Sequence, residues 1–169
     1  MRATYLILLF LWFIVGYFLC KKYICKNTAT EEIAAIAPLD GGDGDCSSKL
    51  LFKNKTADIN LVSDYNFQFQ RSSSDYNDLN EELTIILGDV ITFLGEDPER
   101  IMQIKGYYLD DEINNTDYSN IGLARANKVK SYFLEQGINS MQIKTIGKLG
   151  NPSCVEDDIL VKGIAVAFR

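Results

Sequence analysis

The sequence predicts an α/β fold, a sandwich in which helices pack on one face of a mixed β-sheet. Two segments, 79–93 and 122–133, carry apolar residues at the three- and four-residue spacing of an amphipathic helix. Other segments, taken in order below, have the alternating or continuous apolar pattern of strands. The predicted order is strand, helix, strand, helix, strand, strand. Such alternation favours helices that cross over one face of a sheet.

The composition limits the chain to one folded domain of ordinary size. It has 169 residues, with 47% hydrophobic and 24% charged side chains, which are typical of a globular protein. Four basic residues and no acidic residue precede Asn27, so residues 27–169 contain 13 basic and 23 acidic side chains, a net charge of −10. This acidity argues against binding of nucleic acid, because phosphates are neutralised by clustered Lys and Arg.

The chain has no histidine, the commonest general base and a common metal ligand. It also lacks a nucleophile elbow, a phosphate-binding loop and a metal-ligand cluster. We therefore predict a protein that is not an enzyme and that uses no metal or cofactor.

An almost unbroken apolar run occupies residues 3–20. A helix of this length covers about 27 Å at ~1.5 Å per residue, close to the ~30 Å hydrocarbon core of a bilayer. Bulky Tyr17, Phe18 and Leu19 disfavour the two alternatives, which are a cleaved signal peptide and lipidation of Cys20. We predict that residues 1–26 form a transmembrane anchor with a basic flank. The lysines that follow the run favour a cytoplasmic carboxyl side by the positive-inside tendency.

Residues 27–48 change abruptly to small, acidic and Gly-rich, which indicates a linker. Asp40, Asp43 and Asp45 could suggest a calcium site, but the segment lacks the regular spacing and the closing Glu of an EF-hand loop. The sequence therefore predicts a solvated tether, followed by a folded domain over residues 49–169.

The first half of this domain is predicted to hold a hairpin, a strand and a helix. Short apolar patches at 50–52 and 59–61 form the hairpin, and residues 65–70 alternate aromatic with polar side chains, as in a half-buried strand. Side chains in 72–75 could cap the helix, and Gly95 with Pro98 would end it. The predicted buried stripe of the helix is Leu79, Leu83, Ile86, Val90 and Phe93.

The second half is predicted to hold three strands and another helix. The strands are residues 101–108, 141–146 and 159–168, of which the last is long and mostly apolar. Gly137 is the predicted stop of the helix. One face of that helix carries Gly122, Ala126, Val129 and Phe133.

Residues 121–133 read Ile-Gly-Leu-Ala-Arg-Ala-Asn-Lys-Val-Lys-Ser-Tyr-Phe, and Gly137-Ile138 and Gln142-Ile143 follow. This segment resembles the helix Asn-x-x-Leu-Ser-x-x-Arg-Ala-x-x-Val-x-x-Tyr-Leu of the OmpA-like peptidoglycan-associating domain. That family includes outer-membrane protein A, the peptidoglycan-associated lipoprotein and the flagellar stator protein B. The resemblance covers most of residues 63–168, and Gly147-Lys-Leu-Gly150 resembles the family's Gly-x-Gly turn. It implies a βαβαββ mixed sheet with both helices on one face.

In that family an Asp and the Arg of the helix hold the diaminopimelate of the peptidoglycan stem peptide. The resemblance implies that Arg125 grips a ligand carboxylate and that Asp110, 15 residues earlier, faces the ligand ammonium. A guanidinium suits this role because its planar fork donates two parallel hydrogen bonds. Glu112 and Tyr107 complete the expected site. Strand alternation turns one of Tyr107 and Tyr108 towards the core, so only the other can line a groove.

An alternative is that Arg125 pairs within the protein, with Asp110, Asp111 or Glu112. The domain would then be a scaffold or protein-interaction module that keeps the fold and does not bind peptidoglycan.

The resemblance also implies an envelope location, and hence an oxidising compartment. Cys46 and Cys154, just before the first and last predicted strands, would then form a disulfide. We expect residues 27–169 to face the periplasm, because a wall-binding fold has no ligand inside the cell. The expected partners are peptidoglycan, the membrane through residues 3–20, and an envelope protein complex.

Overall fold

The computed structural model describes residues 46–54, 58–151 and 154–168, all within the unit Pro38–Arg169. The predicted anchor and most of the predicted linker lie outside these residues. In the described ranges, no helix is both long and apolar enough to cross a bilayer.

The described residues form short strands around two α-helices. A 3₁₀ turn at Ser140–Gln142 precedes the fifth strand. In chain order the elements are β1 (Leu50–Lys53), β2 (Asn60–Ser63), β3 (Phe69–Gln70), α1 (Glu81–Glu96), β4 (Met102–Tyr108), α2 (Ile121–Glu135), β5 (Ile143–Leu149), β6 (Val155–Glu156), β7 (Ile159–Leu160) and β8 (Ile164–Phe168).

The central sheet has the strand order β5-β4-β8. Strand β4 pairs parallel to β5 and antiparallel to β8, so the sheet is mixed. Buried Met102 and Ile104 of β4 share a core with residues of both helices, among them Val90 and Val129. The α/β class with helices on one face of a mixed sheet is therefore confirmed. The hairpin β1-β2 is also present, and β1 lies against β8.

Helix α1 begins later than the sequence predicted. Its N-cap is Asn80, whose side chain accepts a hydrogen bond from the Glu82 N–H at 2.8 Å. The expected caps in 72–75 were wrong, because those residues form a turn beside β3. At the other end of the helix, the buried side-chain amide of Gln142 donates hydrogen bonds to the carbonyls of Leu94 at 2.9 Å and Asp97 at 3.1 Å.

The buried stripe of α1 was predicted in part. Leu83 and Val90 are fully buried, as expected, and so are Leu87 and Leu94, which the prediction omitted. The other three predicted members are only partly buried, namely Leu79, Ile86 and Phe93.

The predicted strand at 159–168 is two strands in different sheets. Strand β7 pairs with β3 and β6, whereas β8 pairs with β4, and Gly163 separates them. A side chain at Gly163 would collide with the ring of Phe69 and the carbonyl of Phe67. The chain therefore changes sheet at the point where only glycine fits. The expected strand at 65–70 is likewise reduced to Phe69–Gln70.

Helix α2 lies unusually close to the sheet because glycines face it. A Cβ on Gly106 of β4 would overlap the carbonyl oxygen of Gly122 on α2, and a Cβ on Gly147 would overlap the side chain of Asn120. Asn120 is the N-cap of α2. Gly147 thus lies inside β5, where it contacts the N-cap of α2. The expectation that 147–150 form a turn was wrong.

Candidate functional site

Arg125 is the largest fully buried side chain of the described residues, with 0% exposure. It extends from α2 to the carboxyl end of β4, where its Nη1 donates to the Tyr107 carbonyl at 2.9 Å. Its Nε donates to the Ser73 carbonyl at 2.9 Å, and its Nη2 donates to the Gln70 carbonyl at 3.2 Å. The guanidinium carbon lies 5.2 Å from the centre of the Phe69 ring. Three backbone carbonyls and an aromatic face therefore enclose the cation.

Glu112 supplies the remaining partner of this arginine. Its Oε2 accepts from Nη1 at 2.9 Å and its Oε1 accepts from Nη2 at 2.5 Å, in the bidentate geometry of a guanidinium and a carboxylate. All five N–H groups of Arg125 are thus used. The internal alternative considered from the sequence is observed, with Glu112 as the carboxylate.

The carboxylate of Glu112 is satisfied on both oxygens. Besides the two bonds from Arg125, it accepts from the Ser72 N–H at 2.9 Å and from the Leu109 N–H at 2.8 Å. The exposed fractions of the Arg125 and Glu112 side chains are 0% and 1%. The buried pair therefore connects the turn after β3, the end of β4 and helix α2 through charged hydrogen bonds.

These contacts control the ionisation of Glu112. Burial raises the pKa of the carboxyl, but the hydrogen bonds from Arg125, Leu109 and Ser72, together with the arginine charge, outweigh burial and lower the pKa below its ordinary 4.5. Because the folded-state pKa lies below the unfolded one, the ionised group stabilises the fold above about pH 4.5. This contribution is lost as the pH falls through the lowered pKa.

We therefore expect the free energy of unfolding of the unaltered protein to fall more steeply below about pH 4.5 than that of Glu112→Gln, which lacks the titrating group. Urea unfolding followed by circular dichroism over a series of pH values measures both profiles. The control is Asp89→Asn, an exposed carboxylate on α1, whose profile should parallel that of the parent. If the stability of the parent and that of Glu112→Gln vary with pH in parallel, the ionisation of Glu112 does not stabilise the fold as described.

The other predicted site residues do not surround Arg125. Asp110 is exposed, and the neighbouring Asp111 forms an ion pair with Arg71. The Tyr107 side chain is buried on the side of the sheet away from the helices, in a cluster with Leu109 and Leu160. Of the predicted residues, Glu112 contacts Arg125 through its side chain and Tyr107 contacts it only through its backbone carbonyl. Asp110 lies at the surface.

The loop between β4 and α2 is held by further polar contacts. The Ile113 N–H donates to Ser72 Oγ at 3.0 Å, and the Asn114 side chain donates to the Tyr118 carbonyl at 2.8 Å. The side chains of Ile113 and Tyr118 are 65% and 45% exposed. The surface beside the buried ion pair is therefore acidic at Asp110 and apolar along the loop.

Sequence reasoning missed the backbone groups that bind the pair. The carbonyls of Gln70 and Ser73 and the N–H of Ser72 carry no side-chain signal, so nothing in the sequence could reveal them. Ser72 has a positive φ of 57°, a conformation uncommon outside glycine, and this turn presents the three groups to Arg125 and Glu112.

Cys46 and Cys154 form a disulfide, with their Cα atoms 4.8 Å apart. Cys154 lies in the apolar cluster that contains Tyr107, and Cys46 packs against that cluster. The bond fastens the start of the described chain to the side of the sheet opposite the helices. Within the described residues, no group of three or more acidic or cysteine side chains is placed to hold a metal ion.

Comparisons with known proteins return similar folds only. No protein-family model matches the sequence, and no curated protein matches it. Among solved structures, the C-terminal domain of Helicobacter pylori MotB is 14% identical with a TM-score of 0.44, covering 61% of this chain and 82% of that one. The peptidoglycan-associated lipoprotein of Burkholderia pseudomallei is 14% identical with a TM-score of 0.47, covering 61% and 88%. A putative MotB-like protein of Desulfovibrio vulgaris is 18% identical with a TM-score of 0.39, covering 58% and 63%.

Proposed function

We propose that the chain is a non-catalytic cell-envelope protein that associates with peptidoglycan through the stem peptide. The sequence resemblance of 121–133 supports this proposal. The observation that carries it is the arginine–carboxylate pair at the end of β4. Arg125 already holds a carboxylate in bidentate geometry, at 2.9 and 2.5 Å, which is how a guanidinium would hold a carboxylate of diaminopimelate.

In this proposal the ligand carboxylate exchanges with that of Glu112. Arg125 has no N–H left for a second acceptor, so binding requires Glu112 to leave the guanidinium and become hydrated. Asp110, exposed at the same end of β4, would face the ligand ammonium, and the Tyr107 carbonyl would remain on the guanidinium. Glu112 competes from within the chain, which lowers the apparent affinity for the ligand.

The anchor and the periplasmic orientation belong to the same proposal. Residues 3–20 would hold the chain in a membrane of the envelope, and residues 27–48 would let the domain reach the wall.

Peptidoglycan binding is tested by sedimentation of the full chain, in detergent, with purified sacculi. We expect Glu112→Gln to bind about tenfold more tightly than the parent, because a neutral amide competes less well for Arg125. Asp110→Asn should bind more weakly, because it loses the charge opposite the ligand ammonium. Asp89→Asn on α1 is the matched control for loss of one exposed carboxylate and should bind as the parent does.

A second candidate function is a scaffold or protein-interaction module without peptidoglycan binding. The observation that favours it is the complete use of the Arg125 donors in a fully buried position. If neither the parent nor a folded Glu112→Gln variant sediments with sacculi, the scaffold function replaces the first proposal.

A further inference from the structure

The carboxylate of Glu112 is surrounded by four N–H groups, which we call the carboxylate cradle. Its Oε1 accepts from Arg125 Nη2 at 2.5 Å and from the Ser72 N–H at 2.9 Å. Its Oε2 accepts from Arg125 Nη1 at 2.9 Å and from the Leu109 N–H at 2.8 Å. Each oxygen of the carboxylate therefore has two donors.

The donors of the carboxylate cradle are anchored independently of Glu112. Arg125 lies on helix α2 and is fully buried. Leu109 is 4% exposed and packs in the apolar cluster beside the disulfide. Ser72 lies in the turn after β3, where the N–H of the preceding residue donates to the Asp158 carbonyl at 2.9 Å. We therefore expect the cradle to stay assembled when the Glu112 side chain leaves it.

Glu112 itself lies in a loop at the surface. The side chains on either side of it, Asp111 and Ile113, are 68% and 65% exposed. No other residue in the range 110–120 is buried. The loop can therefore withdraw the Glu112 side chain without exposing apolar core, at the cost of the hydrogen bond from the Ile113 N–H to Ser72 Oγ.

The chemistry of the cradle distinguishes a carboxylate from an amide. All four groups are donors, and an ionised carboxylate has acceptors only. A carboxamide has nearly the same shape, but its NH₂ group would meet two donors and no acceptor. A buried site rejects such a ligand strongly, because its donors lose their water without gaining a partner.

We propose that the vacated cradle is a binding site selective for a free carboxylate at the end of a slender chain, and that it rejects the corresponding amide. The chain must be slender because the ligand takes the place of the Glu112 side chain, which is 1% exposed. In naming the stem peptide as the source of the carboxylate, the inference rests on the proposed function. The protein then recognises stem peptides whose diaminopimelate carboxylate is free, and not those in which it is amidated.

Truncation of Glu112 tests the cradle without any wall component. Glu112→Ala removes a CH₂–COO⁻ group, which acetate matches in shape and charge. For the full chain in detergent, we expect sodium acetate to raise the midpoint of thermal unfolding of this variant by about 4 °C over sodium chloride of equal ionic strength. Acetamide should not raise it. The matched control is Glu96→Ala, which removes an exposed carboxylate that accepts from Arg100 Nη1 at 3.1 Å and should not respond to acetate.

The absence of a response to acetate, or equal responses to acetate and acetamide, would overturn the inference. Equal responses of the two variants would do the same. If Glu112→Ala is unfolded in sodium chloride, the expected response is recovery of its circular dichroism when acetate is added, and a failure to recover would also overturn the inference.

Sacculi test the selectivity towards the wall. Untreated sacculi are compared with sacculi whose carboxyl groups have been amidated with ammonia and a carbodiimide, and we expect the parent to bind the amidated sacculi at least about tenfold more weakly. Charge alone predicts the opposite, because residues 27–169 have a net charge of −10 and amidation removes negative charge from the wall.

The two experiments separate the inference from the proposed function. A response of Glu112→Ala to acetate, without sedimentation of any variant on sacculi, would uphold the cradle and reject the proposed function. Sedimentation that amidation leaves unchanged or strengthens would overturn the selectivity for free stem-peptide carboxylates.

Discussion

Replacing Arg125 with alanine is expected to lower the free energy of unfolding by about 3 to 5 kcal/mol. The change leaves the Glu112 carboxylate, 1% exposed, without its cation. It also removes the guanidinium donors from the carbonyls of Gln70, Ser73 and Tyr107, of which Gln70 keeps the Ser73 N–H. Chemical denaturation followed by circular dichroism measures the loss.

Arg71→Ala is the control, because it removes an arginine–carboxylate pair at the surface, where Asp111 is 68% exposed. It should cost no more than about 1 kcal/mol. A cycle of Arg125→Met, Glu112→Leu and the double variant should show a coupling of about 1 to 3 kcal/mol. If Arg125→Ala costs less than about 1 kcal/mol, the buried pair does not stabilise the fold as described.

Removing the disulfide with Cys46→Ser and Cys154→Ser is expected to cost about 2 to 4 kcal/mol. The two cysteines are 108 residues apart in sequence, and the chain-entropy account gives about 4 to 5 kcal/mol as an upper value for a loop of that size. Guanidinium unfolding with and without a reductant measures the difference.

A reductant should destabilise the parent and leave the double serine variant unchanged. Tryptic peptides from periplasmically expressed protein, separated without reduction, should contain the cross-linked pair. Two free thiols in that experiment would contradict the bond.

The fold could be predicted from the sequence where side-chain patterns repeat. The periodicity around Val129 and Phe133 located α2, and the apolar residues of β4 located the central strand. The hydrophobic pattern did not indicate where a single residue makes the chain change direction. The apolar run at 159–168 looked continuous, and only the contact of Gly163 with Phe69 shows why the chain must leave one sheet for another.

Of the predicted site residues, Arg125 and Glu112 lie together, whereas Asp110 and the side chain of Tyr107 do not join them; a role in ligand binding stays a prediction. The spacing to Arg125 favoured Asp110, but the loop after β4 turns so that Glu112 reaches the guanidinium. Its path depends on the Ser72 turn, more than thirty residues earlier in the chain. Backbone contacts between residues so far apart cannot be predicted from a local sequence pattern. The same holds for Gln142, whose amide meets the carbonyls at the end of α1.

If the chain before Cys46 tethers the domain, as proposed, the disulfide has a mechanical consequence. Cys46 is the first described residue and precedes β1 by only a few positions. Without a covalent link, tension applied to the preceding chain would act on β1 alone and could peel it away from β2 and β8. With Cys46 bonded to Cys154, the same pull divides between the starts of β1 and β6. A force that would have unzipped one strand after another must then shear two parts of the domain at once.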